Sequence, residues 1–287
     1  MIWNLLLEPL QYGFMQRALV VAVVVGIICA IVGSYLMVQR LALLGDAISH
    51  SLLPGVALAY IFNSSIFLGA LIAGLLSTVL INGIKNSSKI KEDAAMGLVF
   101  SSFFALGIIL ITLVQKENKI DLNHFLFGNI LGVSAEDLKN TILVGVIVVL
   151  TVVLLYKELL FYTFDRLGAE AVGLPVIWLD TGLMVLVGLT IVASLKAVGV
   201  ILVLSLLITP PATAYLLVNR LHQVMYIGMI VGIISSITGM YLSYYFNLPS
   251  GPSIVLVAAG FFTLSFLFSP SQGLVSGYLK LKLKRNF

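Results

Sequence analysis

Charge and cysteine are what this sequence has least of. Only 10% of its 287 residues are charged, against about 25% in a soluble domain. Hydrophobic residues make up 60%, and the mean hydropathy is strongly positive. Such a composition cannot cover a globule with a water-facing surface, which excludes an ordinary soluble enzyme. The single cysteine, Cys29, falls in the middle of an apolar run. One thiol makes no intrachain disulfide and no thiolate metal cluster, so Cys29 reads as a small packing residue. Motifs are missing as well. The chain has no Gly-Lys dipeptide and therefore no G-x-x-x-x-G-K-[ST] phosphate loop; it also lacks H-E-x-x-H and a Ser-centred G-x-S-x-G. If ATP drives this protein, another subunit must bind it. No basic, cleavable signal sequence stands out at the N-terminus. The net charge of +4 does not call for nucleic acid, because the basic residues sit mostly in short segments between apolar runs, where membrane topology places them.

What the chain does have is apolar runs of about 18 residues or more. They fall at 17–39, 46–62, 65–84, 94–114, 140–156, 177–195, 198–218, 224–246 and 253–270. This pattern predicts an all-α polytopic membrane protein forming one membrane domain over 1–287, with nine transmembrane helices, or eight if one segment only dips into the bilayer. The runs within 177–218 are divided by a very tight break at Leu195–Gly199. Residues 1–16 read as an amphipathic, interfacial segment ahead of a first span starting after Arg17. Residues 271–287 read as a basic tail containing KLKLKR.

Lysine and arginine set the expected orientation. With the N-terminus outside and the C-terminus in the cytoplasm, the cytoplasmic segments carry Arg40, Lys85, Lys89, Lys91, Lys157, Arg166, Arg220, Lys280, Lys282, Lys284 and Arg285, eleven of the 16 basic residues. Two connections are long. Gln115 to Asn140 would be external and contains FLFGNIL, too short to span and suited to a re-entrant or interfacial helix. The other, 157–176, would be cytoplasmic, with Pro175 opening the next span.

The stretch LGDAISHSLLPGVALAY, Leu44 to Tyr60, places Asp46 and His50 four residues apart, on one face of a helix. Pro54 lacks the N–H that would bond the His50 carbonyl, so a carboxylate, an imidazole and a freed carbonyl are expected on neighbouring turns. A charge near the centre of a membrane helix costs at least about 2.5–3.5 kcal/mol and is a functional candidate by default. Among the 12 acidic residues only Asp46 sits beside another ionisable residue in a span; Asp180 lies one turn inside its own. Carboxylate plus imidazole suits Mn²⁺, Fe²⁺ or Zn²⁺ better than Ca²⁺ or Mg²⁺, which prefer all-oxygen shells. The residue types are equally consistent with a structural pair pinning one helix to its neighbours. Two side chains do not complete a coordination sphere, so other groups must contribute.

A second polar feature is LSLLITPPATAYLL, Leu204 to Leu217, in which Ser205, Thr209 and Thr213 form a hydroxyl stripe. Pro210 and Pro211 remove the N–H partners of the Leu206 and Leu207 carbonyls. Such a segment reads either as a broken helix at a transport site or as a packing kink. His124 and His222 read as solvated or interfacial residues. Gly69 with Ala73, Gly228 with Gly232, and Ser235 with Gly239 read as close-packing faces.

With these residues in view, the chain resembles the membrane permeases of the ABC importers for manganese, zinc and iron. The resemblance rests on GDAISHSLLPGVALAY, on LITPPATAYLL, and on FD-x-x-x-A-x-A-x-G-x-P from Phe164 to Pro175, and extends in order over nearly the whole chain. It implies a fold similar to the vitamin B12 importer permease, shortened at its N-terminus, in a bacterial cytoplasmic membrane. It further implies a homodimer of permeases, a pair of cytosolic ATPase subunits and an extracytoplasmic metal-binding protein. Asp46 and His50 are implied to meet the metal, and Ser205, Thr209 and Thr213 are candidate pathway residues. Phe164, Asp165, Ala169, Ala171, Gly173 and Pro175 would belong to a coupling helix seated in the ATPase subunit. No permanently bound cofactor is implied; the transported ion would be Mn²⁺, or Zn²⁺ or Fe²⁺. The ITP-x-A-TAYLL form is more similar to manganese and iron members than to zinc importers, although the doubled Pro210–Pro211 stands where many relatives have Pro-Ala. Metal choice is not set by donor atoms alone, given the Irving–Williams order, and is expected to rest with the binding protein.

Two rival readings remain. A secondary transporter would use Asp46 and His50 to relay protons. An intramembrane enzyme would use them as acid and base, but the chain shows no second polar cluster to complete such a site. Dependence of uptake on ATP hydrolysis separates the three.

Overall fold

In a bilayer nothing solvates a free backbone N–H, so an apolar run satisfies its own polar groups by becoming a helix. The computed structural model, which describes residues 7–115, 130–269 and 273, follows that rule. In chain order the α-helices are α1 (Gly13–Gln39), α2 (Ala42–Ser51), α3 (Leu53–Ile61), α4 (Ile66–Ser87), α5 (Glu92–Gln115), α6 (Ala135–Leu154), α7 (Tyr156–Phe164), α8 (Arg166–Ala171), α9 (Val176–Val198), α10 (Val200–Leu217), α11 (Leu221–Phe246) and α12 (Ser250–Phe268). Counting α2–α3 as one kinked span, nine of these units among the described residues are long and apolar enough to cross a membrane. There is no strand among them.

Local chemistry ends each helix. Arg40 stops α1 in the left-handed region at φ 61°, and the Leu41 N–H returns to the Leu36 carbonyl at 2.8 Å, closing the end of the helix. Ser134 and Asp137 form a reciprocal capping box at the start of α6. The expected break between Leu195 and Gly199 is a single residue: Gly199, at φ 81°, separates α9 from α10. Pro175 stands at the N-cap of α9, as expected.

Several expectations shift. The first helix starts at Gly13 rather than after Arg17, and Arg17 lies one turn inside, donating to the Val133 carbonyl at 3.3 Å. Of the 1–16 segment, Pro9–Gln11 is a short 3-10 helix leading into α1. His222 lies in the first turn of α11 and is exposed, in keeping with its reading as a solvated or interfacial residue. Most of FLFGNIL, His124, and all of the 271–287 tail except Gly273 fall outside the described residues; Ile130, where description resumes, is buried.

Lipid tails are as apolar as leucine, so helices in a membrane are held by close packing rather than by hydrophobic exclusion. The small-residue faces do this. Gly55 of α3 meets Gly69 of α4 so closely that a Cβ on either would overlap the other's carbonyl oxygen, with Ala73 beside them. Gly232 of α11 lies less closely against Gly26 of α1, where a Cβ on either would be tight against the other's carbonyl, and Ser236 of α11 donates to the Ala22 carbonyl at 3.0 Å. Gly239 packs on Ile254 of α12. Helix α1 runs through the middle of the bundle with most of its residues buried, whereas α12 sits at the rim with few buried. Cys29 is buried in the centre of α1, as a packing residue would be.

Candidate metal-passage site

Helix α2 presents two unlike faces. Leu44, Ile48 and Ser49 point into the bundle, and Gly45 abuts Leu204 and Leu207 of α10. On the other face the i, i+4 spacing brings His50 Nε2 to 3.5 Å from Asp46 Oδ1. The imidazole is held from the far side. Phe100 and Phe104 of α5 meet its ring edge-on, each with centroids 5.4 Å away, and stack on one another at 5.7 Å. Such a clamp fixes the plane of the imidazole at little entropic cost. The Asp46 side chain remains half exposed, at 51%. Oxygen and nitrogen donors of this kind suit a borderline divalent ion, but no third His, Cys, Asp or Glu joins them among the described residues.

Two anticipated carbonyl ligands are not free. The chain does break after His50, between α2 and α3, with Pro54 in the first turn of α3; there the His50 carbonyl accepts from the Leu52 N–H. Of the two readings open at Pro210–Pro211, the broken helix is absent, since α10 runs continuously from Val200 to Leu217. The Leu207 carbonyl, left without the N–H of residue 211, instead faces Gly33 of α1, where a Cβ would overlap it. Close contact between a Cα–H and a carbonyl is a recurring feature of helix–helix interfaces. Packing, not unwinding, accommodates the prolines. The hydroxyl stripe is real but turned on its own helix: Ser205 Oγ lies 3.5 Å from Thr209 Oγ1, and Thr213 donates to the Thr209 carbonyl at 2.7 Å.

The segment 164–175 contains a short capped helix, next to the end of α1, where Gln39 donates to Thr163 at 3.2 Å. Asp165 accepts from the Gly168 N–H at 2.8 Å as the N-cap of α8. Ala169 is buried, Ala171 and Pro175 are exposed, and Gly173 takes φ 86° to turn the chain into α9. Phe164, Leu167 and Val172 stand out from the surface, Leu167 at 79% exposure.

Asp180 is the residue that the sequence undervalued. It is only 1% exposed, yet it is not alone: its carboxylate lies 3.2 Å from Lys85 Nζ of α4 and 3.6 Å from the Arg166 guanidinium of α8, and accepts from the Tyr162 hydroxyl of α7 at 2.7 Å. Burial, reinforced by the Asp180 charge, pushes the Tyr162 phenol up, which keeps it protonated as the donor. The available signal was Lys85, a basic residue at the end of the 65–84 run, in the last turn of α4.

Comparison with known proteins places the chain. A family model described as "ABC 3 transport family" matches residues 11–269. The chain belongs to that family. The permease is 46% identical, over 96% of its own length and 94% of the relative's, to "Manganese transport system membrane protein MntC" of Halalkalibacterium halodurans. It is 39% identical, over 94% of its length and 90% of the relative's, to "Chelated iron transport system membrane protein YfeD" of Yersinia pestis. A solved structure, "PsaBC from Streptococcus pneumoniae in complex with Fab", is similar with a TM-score of 0.85 and 43% identity, covering 98% of this chain and 100% of that one. The expected all-helical, multi-pass architecture and the family resemblance therefore hold.

Proposed function

We propose that this permease is the transmembrane subunit of an ABC importer for a divalent transition metal, manganese first. The observation that carries the reading is the Asp46–His50 pair, a carboxylate and an imidazole 3.5 Å apart in an otherwise apolar span. A half-exposed carboxylate turned toward lipid would cost about 2.5–3.5 kcal/mol or more, so Asp46 faces a water-filled passage. A second copy of the chain, related by a two-fold axis, would line the other wall and double the donor set to two carboxylates and two imidazoles. Ser205, Thr209 and Thr213 would border the same passage. The similarity to a protein named for manganese transport favours that ion; the relative named for chelated iron keeps iron, and with it zinc, as the alternative cargo.

The end of the bundle bearing Arg40, Lys85, Lys89, Lys91, Lys157, Arg166 and Arg220 faces the cytoplasm, in keeping with the excess of positive charge on that side, and puts the N-terminus outside a bacterial cytoplasmic membrane. The exposed apolar side chains around α8 then form a seat for a separate ATPase subunit, with Asp165, Ala169, Ala171, Gly173 and Pro175 shaping the helix and its exit. An extracytoplasmic binding protein delivers the ion, and ATP-driven closure of the ATPase pair tilts the spans. The ion is held only transiently, since a site that binds too tightly does not release.

The test is competitive uptake of manganese, zinc and iron in cells lacking this chain, restored with the wild type, Asp46→Ala or His50→Ala. Manganese uptake is expected with the wild type and lost in both variants while the transporter still assembles. Wild-type accumulation in both variants would remove the pair from the ion's path, and stronger uptake of zinc or iron would reassign the cargo.

A further inference from the structure

The buried carboxylate of Asp180 joins parts of the chain that have to move together if α8 drives transport. Around it the charges balance: Lys85 and Arg166 on one side, Asp180 and Glu92 on the other, with Lys85 Nζ 2.8 Å from Glu92 at the start of α5. Polar contacts extend the cluster. Arg166 donates to Asn86 at 3.4 Å, Asn86 to Asn82 at 2.7 Å, and Asn82 to Thr181, the neighbour of Asp180. Three elements, α4, α7 and α8, thus meet at the one carboxylate of α9, and α5 joins them through the Lys85–Glu92 pair.

We propose that Asp180 is a positioning residue for transport, the node through which displacement of α8 is carried into spans α4 and α9. The proposal rests on the reading of α8 as the seat of an ATPase subunit. Its physical basis is the price of separation. A carboxylate with 1% exposure cannot lose Arg166, Lys85 and Tyr162 to water, because an unpaired buried charge is strongly unfavourable. The helices that hold these partners therefore shift as one body rather than sliding past each other. An apolar contact would hold the bundle as well but would tolerate slippage, since dispersion contacts are non-directional and easily exchanged. Span α9 leads through Gly199 directly into α10 with its hydroxyl stripe, and it also packs against α2, which bears Asp46 and His50. A displacement entering at Asp180 thus reaches the ion's path through adjoining helices.

The experiment uses the complete transporter in liposomes and reads ions transported per ATP hydrolysed, a ratio that a merely structural residue would not alter. Asp180→Asn keeps the size and removes the charge; Arg166→Gln acts from the cluster's partly exposed rim. Both are expected to assemble and hydrolyse ATP while the ratio falls at least tenfold, and Arg166→Lys is expected to recover most of it. A wild-type ratio in Asp180→Asn and Arg166→Gln would overturn the proposal. If Asp180→Asn fails to assemble, Arg166→Gln decides: a normal ratio there makes the cluster a folding element and ends the idea. Failure of the underlying reading would look different, as wild-type uptake that needs no ATP.

Discussion

Gly33 of α1 lies directly against the carbonyl oxygen of Leu207 in α10, with no room for a Cβ between them. The carbonyl is available because Pro211, four residues on, has no N–H to offer it. Substituting Gly33 by Ala would set a methyl group against backbone, which cannot rotate away, and overpacking of this kind costs about 1–3 kcal/mol. Gly33→Ala is expected to lower the thermal unfolding midpoint of the purified transporter. Gly83→Ala is the control, because nothing lies within 4 Å of a Cβ there; the gain in helix propensity, up to about 1 kcal/mol, should leave that midpoint equal or higher.

The aromatic clamp on His50 yields a second prediction. Phe104→Leu removes one ring edge without touching either donor atom and frees the imidazole to rotate. Uptake at low metal concentration is expected to fall several-fold. Because both donor atoms remain in place, raising the metal concentration to saturation should recover most of the wild-type rate in Phe104→Leu. Wild-type uptake by Phe104→Leu at low metal would separate Phe104 from the imidazole's role.

Asp165 and Gly168 form the cap that starts the six-residue helix α8. Asp165→Ala should cost about 1 kcal/mol of local helix stability, visible as faster amide exchange at Gly168 and Ala169. Asp165→Asn, which retains an acceptor, should stay close to the wild type. Gly168→Ala is expected to fray the helix too, because a Cβ there would push the capping carboxylate aside.

Leu167 is 79% exposed, so replacing it has little to disturb within this chain; surface changes usually stay within about 0.5 kcal/mol. Leu167→Ser should therefore leave the unfolding midpoint unchanged while weakening co-purification of the ATPase subunit. An unchanged yield of the complex would mean that the apolar rim of α8 is not the seat.

Much of the fold was legible because a membrane span is a local signal. Length and hydropathy predicted nine spans, and Pro175 and Gly199 marked boundaries that the helices respect. The Asp46–His50 contact was legible for the same reason, since four residues along a helix is a fixed displacement. At Pro210–Pro211 the sequence left a broken helix and a packing feature both open, because two missing N–H groups look the same whether the chain unwinds or a neighbour closes over the freed carbonyl. Gly33, which makes the difference, lies in another helix.

The sequence by itself determined which segments are long and apolar enough to cross a bilayer and that Asp46 and His50 lie side by side, because both follow from spacing along one helix. Only the tertiary structure decided what surrounds them: the phenylalanines that orient His50, the glycine that covers Leu207, and the three helices that bring Tyr162, Arg166 and a lysine 95 residues away to Asp180. Those contacts depend on how helices cross, and crossing is set by the shape of whole faces packed together.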